Sequence, residues 1–132
     1  MSKRIFVVDD EPNMTMLSER LLTLKGFNVN HANDPMKGLE QLSGEDYDLI
    51  FVDLMMPEMS GFDFVAKLRA SDRHKNTPII VLSAKRLSDE ERKRLLLDRA
   101  RFLMKPLSPR QLFEVVQDCL GDARPEPSSK PN

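Results

Sequence analysis

Four short apolar runs in this chain each lead into a polar residue, and this arrangement constrains the fold more than any other feature of the sequence. The runs occupy residues 4–8, 49–52, 79–82 and 102–104, with helix-like stretches between them. Short apolar runs of this kind are typical of buried strands in a parallel α/β sheet. Because ligands bind at the carboxyl ends of the strands in such sheets, the polar residues after the runs should meet at one edge. Those residues are Asp9 and Asp10, Asp53, Ser83, and Lys105.

The remaining pattern completes an α/β fold. Residues 27–31 alternate like a half-exposed strand, and Gly26 before them is a typical helix stop. Asp34-Pro35 has the form of an N-cap and first helical turn, and Ser88 and Ser108 begin capping-box patterns. Five strand-helix units joined by right-handed crossovers predict a three-layer α/β sandwich.

Chain length, net charge and cysteine content limit the possible functions. A length of 132 residues suits one domain, and a net charge of −1 gives no electrostatic case for a nucleic-acid or membrane partner. No apolar run approaches the roughly 20 residues of a membrane span, and no signal-peptide pattern precedes the first strand. The single cysteine, Cys119, excludes an internal disulfide and fits a reducing compartment, so we expect a cytoplasmic protein. We expect a domain over residues 3–121, followed by a flexible tail or linker start over 122–132.

The polar residues at the predicted edge suggest phosphoryl chemistry with a hard cation. Two adjacent acids, Asp9 and Asp10, repel each other unless a cation is present, and oxygen ligands favour Mg²⁺. Asp53 can supply a further oxygen and can act as a nucleophile toward a phosphoryl group. Lys105 would neutralise charge on the phosphoryl oxygens, and the Ser83 hydroxyl could donate to one of them. Singly, each residue has an ordinary explanation as a cap, a turn or a surface group, but their joint spacing favours a site.

Together and in this order, these residues resemble the receiver domain of a two-component response regulator, a member of the CheY-like superfamily. The likeness covers roughly residues 3–121 and includes the acidic pair, Asp53 with the Met-Met-Pro-Glu-Met-Ser-Gly that follows Leu54, Ser83-Ala84, and Lys105-Pro106. It implies a flavodoxin-like fold with a five-stranded parallel sheet in the order 2-1-3-4-5 and five helices. It also implies a signalling module that phosphorylates and dephosphorylates itself but is not a conventional turnover enzyme.

The resemblance assigns roles to the individual residues. Asp53 would be the phospho-acceptor, with Lys105 and Ser83 assisting the transfer. Metal ligands would be Asp10 directly, Asp9 through water, Asp53, and the backbone carbonyl of Met55. Ser83 and Phe102 would form the switch, and the peptide bond before Pro106 would be cis. The implied partners are a histidine kinase or histidine phosphotransfer protein and a downstream protein or output domain.

The chain departs from the family pattern at several positions. Phe102 has no hydroxyl, and residues 98–101 replace a Gly-Ala turn and the acids that follow it with Asp-Arg-Ala-Arg. The turn must therefore be made differently, and a salt-bridged dimer that uses those acids is not expected. We interpret the basic residues around the fourth helix as a solvated face in preference to a docking patch. Met55 and Lys85 occupy positions that border the attacking water in this family, and neither can orient water well, so we expect slow dephosphorylation.

Two other functions fit part of the pattern. A phosphohydrolase of the haloacid-dehalogenase type also uses an aspartate nucleophile with Mg²⁺, but it has a second acid two residues after the nucleophile, where this chain has Met55. A protein-interaction module that is never phosphorylated would need none of the five polar residues. The sequence also leaves open whether the domain acts alone or within a longer protein.

Overall fold

A computed structural model describes residues 3–120 of the chain. Strands and helices alternate as β1 (Arg4–Val8), α1 (Pro12–Leu24), β2 (Asn28–Ala32), α2 (Pro35–Gly44), β3 (Leu49–Asp53), α3 (Gly61–Ala70), β4 (Ile79–Ser83), α4 (Asp89–Leu97), β5 (Ala100–Met104) and α5 (Pro109–Leu120). All strand pairs are parallel, and the sheet order is β2-β1-β3-β4-β5. The predicted fold class and strand order are confirmed.

The sheet separates two apolar layers because successive strand residues point to opposite faces. In β1, Phe6 and Val8 pack in the layer that contains α2, α3 and α4. Ile5 and Val7 pack in the other layer, with residues of α1 and α5. The central strands are buried on both faces, and this explains why the sequence shows them as continuous apolar runs.

The predicted helix signals act as caps, with one boundary shifted. Asp34 accepts hydrogen bonds from the backbone of Met36 and Lys37, and Ser88 forms a complete capping box with Glu91. After α1, Gly26 has a φ of 98°, and the N–H of Phe27 returns to Leu22 O at 3.1 Å. This Schellman closure uses Phe27 to end the helix, so β2 begins one residue later than the sequence predicted.

The turn after α4 forms without glycine. Arg99 has a φ of 56°, in the left-handed region that favours glycine, and its guanidinium donates to Asn76 Oδ1 at 3.0 Å and Lys75 O at 2.8 Å. The guanidinium of Arg69 binds the carbonyl of Arg99 at 3.1 Å and that of Asp98 at 2.7 Å. These hydrogen bonds fix the turn to the α3–β4 loop and compensate for the backbone cost of a side chain at this position.

Two expectations fall at the chain ends. Gly121, the expected domain limit, and the expected tail over 122–132 lie outside the described residues. Within residues 3–120, no helix combines the length and the apolar character that crossing a bilayer requires.

Candidate functional site

The carboxyl edge of the sheet brings the predicted polar residues together. Asp9 follows β1, Asp53 ends β3, and one carboxylate oxygen from each of Asp9, Asp10 and Asp53 lies within 4.8 Å of the others. Asp9 and Asp53 are buried, and Asp10 is half-buried. Acids more than 40 positions apart in the chain therefore share one small site.

Lys105 directly follows β5, the edge strand of the sheet, and its side chain extends to this cluster. Its Nζ lies 2.9 Å from Asp9 Oδ2 and 3.2 Å from Asp53 Oδ1, and only 14% of its side chain is exposed. Its backbone N–H donates to Ser83 O at 2.9 Å, and the peptide bond to Pro106 is cis, as the resemblance implied. Burial lowers the pKa of the Lys105 ammonium, but hydrogen bonding to Asp9 and the charges of Asp9 and Asp53 outweigh burial and raise it. The lysine is therefore a permanent cation in the site.

One lysine does not neutralise three carboxylates. Burial and then the charge of Asp9 raise the pKa of Asp53 from its ordinary 3.8 to about 6, despite the opposing effect of Lys105. Because burial is the first cause and Lys105 is already in contact, further positive charge in the cluster would favour the ionised form of Asp53. A hard divalent cation with oxygen ligands would supply that charge, and Asp9, Asp10 and Asp53 offer only oxygen donors. The cluster therefore fits a cation of the Mg²⁺ kind.

Ser83 and Phe102 lie on the two strands beside the cluster. Ser83 is fully buried at the end of β4, and its Oγ accepts a hydrogen bond from the backbone of Lys85 at 3.1 Å. The turn-capping role is therefore present, and the hydroxyl hydrogen can still rotate toward another acceptor. Phe102 is partly buried, pairs in register with Val81, and packs against the core layer of α2, α3 and α4.

At the end of the β3–α3 loop, Gly61 lies directly against the backbone of Asp53 and Leu54. Gly61 N–H donates to Leu54 O at 2.7 Å, and Leu54 N–H donates to Leu82 O at 2.8 Å. A Cβ at Gly61 would lie 2.7 Å from Leu54 Cα and 3.0 Å from Asp53 O, so a side chain would displace the loop. The Met55 side chain, which follows Leu54, is largely exposed, at 58%.

Sequence reasoning missed Asn33, which the structure places against the acidic pair. Its Nδ2 donates to the backbone carbonyl of Asp9 at 2.8 Å. An asparagine just after a strand is typical of a turn, so no local pattern distinguishes this residue. Its contact joins residues 24 positions apart and depends on the fold.

Comparison with known proteins agrees with this geometry. The family model described as the response regulator receiver domain matches residues 5–117. The transcriptional regulatory protein SrrA of Staphylococcus aureus (strain NCTC 8325 / PS 47) is 34% identical over 120 residues, which are 91% of this chain and 48% of that protein. The chain thus spans about half the length of this curated relative.

Solved structures show the same fold. The chemotaxis protein CheY4 of Vibrio cholerae superposes with a TM-score of 0.85 at 29% identity, covering 91% of this chain and all of that one. A CheY-like response regulator receiver domain protein of Methanospirillum hungatei JF-1 superposes with a TM-score of 0.83 at 26% identity, covering 89% of this chain and 93% of that one.

Proposed function

The chain belongs to the response regulator receiver domain family of two-component signalling, and on that premise we propose that it is a phosphorylation switch in which Asp53 accepts the phosphoryl group. The observation that carries this proposal is that Asp53 lies beside the Lys105 ammonium, at 3.2 Å, and in one cluster with the carboxylates of Asp9 and Asp10. Phosphoryl transfer needs a nucleophile and positive charge around the transferred group. The site offers a nucleophilic carboxylate, a fixed cation and an acidic cluster that favours a second cation.

The residues have distinct tasks in the transfer. An oxygen of the Asp53 carboxylate attacks the phosphorus, and the bond from phosphorus to the donor atom breaks as the acyl phosphate forms. The Lys105 ammonium, already 3.2 Å from Asp53 Oδ1, stabilises the negative charge on the transferred oxygens. The Ser83 hydroxyl donates to one of these oxygens, and Phe102 on the neighbouring strand follows its movement.

Mg²⁺ would be held by four groups: the carboxylates of Asp9, Asp10 and Asp53 and the backbone carbonyl of Met55. When bound, the ion supplies positive charge that both offsets the repulsion among the carboxylates and neutralises phosphoryl oxygens. Lys105 already engages Asp9 at 2.9 Å, which leaves the half-buried Asp10 as the acid most available for direct coordination.

Mg²⁺-dependent phosphorylation tests the proposed function. Incubation with acetyl phosphate and Mg²⁺ should add one phosphoryl group by intact mass, and the adduct should be released by hydroxylamine, as expected of an acyl phosphate. The same incubation in chelator should leave the mass unchanged, because the charge of the cluster then opposes an anionic donor. A chain that stays unmodified with Mg²⁺ would contradict this proposal and favour the protein-interaction module.

Family membership also implies upstream and downstream partners. We propose a histidine kinase or histidine phosphotransfer protein as the phosphoryl source, in the cytoplasm, and a downstream protein or output domain as the target. The apolar end of α4 is the proposed output face, because Leu96 and Leu97 there are 72% and 83% exposed, whereas the basic residues around this helix keep their interpretation as a solvated face. The hydrolase alternative is not retained, since the chain belongs to the receiver family.

Dephosphorylation should be slow because of Met55 and Lys85. The Met55 thioether is a poor hydrogen-bond acceptor, and the Lys85 ammonium, 3.3 Å from Glu91 Oε2, has no acceptor at all, so neither can orient a water for attack. The double variant Met55→Asn/Lys85→Glu should release phosphate several-fold faster after removal of the donor. A Met16→Asn/Lys67→Glu variant makes the same changes at exposed sites on α1 and α3 and should match the parent. Equal rates in all three proteins would contradict the mechanism.

A further inference from the structure

Asn33 connects three segments of the chain behind the acidic pair. From the loop after β2, its Nδ2 donates to Asp9 O at 2.8 Å and to Thr15 Oγ1 at 2.9 Å. Thr15 lies in the first turns of α1, is fully buried, and passes its own hydroxyl hydrogen to Pro12 O at 3.0 Å. Both hydrogens of the amide nitrogen are thus committed, one to the end of β1 and one to the start of α1.

The carbonyl that Asn33 binds belongs to the peptide unit between Asp9 and Asp10. The orientation of that planar unit sets the backbone angles on either side of it and therefore the direction of the Asp10 side chain. Two further hydrogen bonds hold this segment: the Asp9 N–H donates to Ala32 O at 3.2 Å, and Asp9 Oδ1 accepts from the Glu11 N–H at 3.0 Å, which closes a turn across Asp10. Asp10 is only half-buried and depends more on its backbone for its position.

We propose that Asn33 is a positioning residue that fixes the Asp9–Asp10 peptide through Asp9 O, is itself held by Thr15, and thereby sets the affinity of the acidic cluster for a divalent cation. This inference rests on the proposed function only in assuming that the cluster binds Mg²⁺. The contact is not the local turn bond that an asparagine usually makes, because it joins two strand ends and a helix. Groups that orient metal ligands commonly change metal affinity by roughly 10-fold or more when they are removed.

Mg²⁺ binding without any phosphoryl donor tests the inference. Amide chemical shifts near Asp10 and Asp53 can be followed through a Mg²⁺ titration of each variant. Asn33→Ala should raise the half-saturating Mg²⁺ concentration by roughly 10-fold. Thr15→Val, which removes the acceptor but keeps the shape, should weaken binding in the same direction by a smaller factor. Thr15→Ser retains the hydroxyl and should bind as the parent does.

The outcomes separate a positioning role from a purely structural one. If Asn33→Ala and Thr15→Val lower the melting temperature in chelator but leave half-saturation unchanged, the inference is overturned. Should Asn33→Ala fail to fold, the Val and Ser variants of Thr15 still decide between the two results. In acetyl phosphate reactions, positioning predicts that the Mg²⁺ dependence shifts while the rate at saturating Mg²⁺ stays close to that of the parent. A parent that binds no Mg²⁺ would overturn the proposed cation site and this inference together, whereas unchanged variants beside a binding parent overturn the inference alone.

Discussion

Replacing Asp53 by asparagine is expected to stabilise the metal-free protein at pH 7 by about 3 kcal/mol, because one pKa unit corresponds to about 1.4 kcal/mol. Burial and the neighbouring charge of Asp9 raise the pKa of Asp53 from 3.8 to about 6, so its ionised form is disfavoured in the folded state. Asparagine has nearly the same shape and resembles the neutral acid. The pKa of about 6 already includes the attraction between Asp53 and Lys105, which lowers it. The expected stabilisation of the asparagine variant therefore already allows for the loss of this attraction.

The stability difference between the parent and Asp53→Asn should increase as the pH rises. Between about pH 4 and pH 6 the folded parent holds a proton on Asp53 that the unfolded chain has released. The free energy of unfolding of the parent therefore falls as the pH rises through this window and levels off above it. The asparagine variant lacks this contribution. The two proteins should accordingly differ little near pH 4 and most at pH 7.

Chemical denaturation of both proteins in chelator, from pH 4 to pH 7.5, measures this difference. At pH 7 the variant should also melt roughly 10 °C higher. Asp72→Asn removes an exposed carboxylate from the α3–β4 loop and should change stability by less than about 0.5 kcal/mol. Added Mg²⁺ should narrow the gap between parent and Asp53→Asn, since a bound cation favours the ionised carboxylate. A variant that is less stable than the parent at pH 7, or a gap independent of pH, would contradict this electrostatic picture.

The fold and the members of the acidic cluster could be predicted from the sequence. Parallel strands buried on both faces must be apolar throughout, so β1, β3 and β4 are visible as runs without further information. The end of each run then marks the sheet edge where ligands bind, and this places Asp9, Asp53 and Ser83 together. The roles assigned to these residues in phosphoryl transfer and metal binding stay predictions.

Other features depend on contacts between distant residues and have no local signature. Which acid pairs with Lys105 depends on how the fold places the strand ends, and the structure places the ammonium 2.9 Å from Asp9 and 3.2 Å from Asp53. The glycine-free turn at Arg99 is possible because Arg69 and the α3–β4 loop bind it, and the sequence around the turn does not show this. Asn33 has the form of a turn residue until the fold brings Asp9 O within hydrogen-bonding distance.

The largest functional effect should also come from Asp53. The amide of asparagine is a far weaker nucleophile than a carboxylate, so Asp53→Asn should lose phosphoryl acceptance altogether. Asp9 is a poor substitute, because both of its carboxylate oxygens are engaged, Oδ2 by Lys105 at 2.9 Å and Oδ1 by the Glu11 N–H at 3.0 Å. Since the same variant is expected to be more stable than the parent, loss of acceptance could not be ascribed to unfolding.

The most direct test of the phosphorylation switch is to locate the phosphoryl group. Parent, Asp53→Asn and the control Asp72→Asn are exposed to acetyl phosphate with Mg²⁺, weighed intact, reduced with borohydride and mapped by peptide mass. We expect one phosphoryl group on the parent and on Asp72→Asn, with homoserine at position 53 after reduction, and no modification of Asp53→Asn. Equal labelling of Asp53→Asn, or a reduced residue at any other position of the parent, would contradict the assignment of Asp53 as the acceptor.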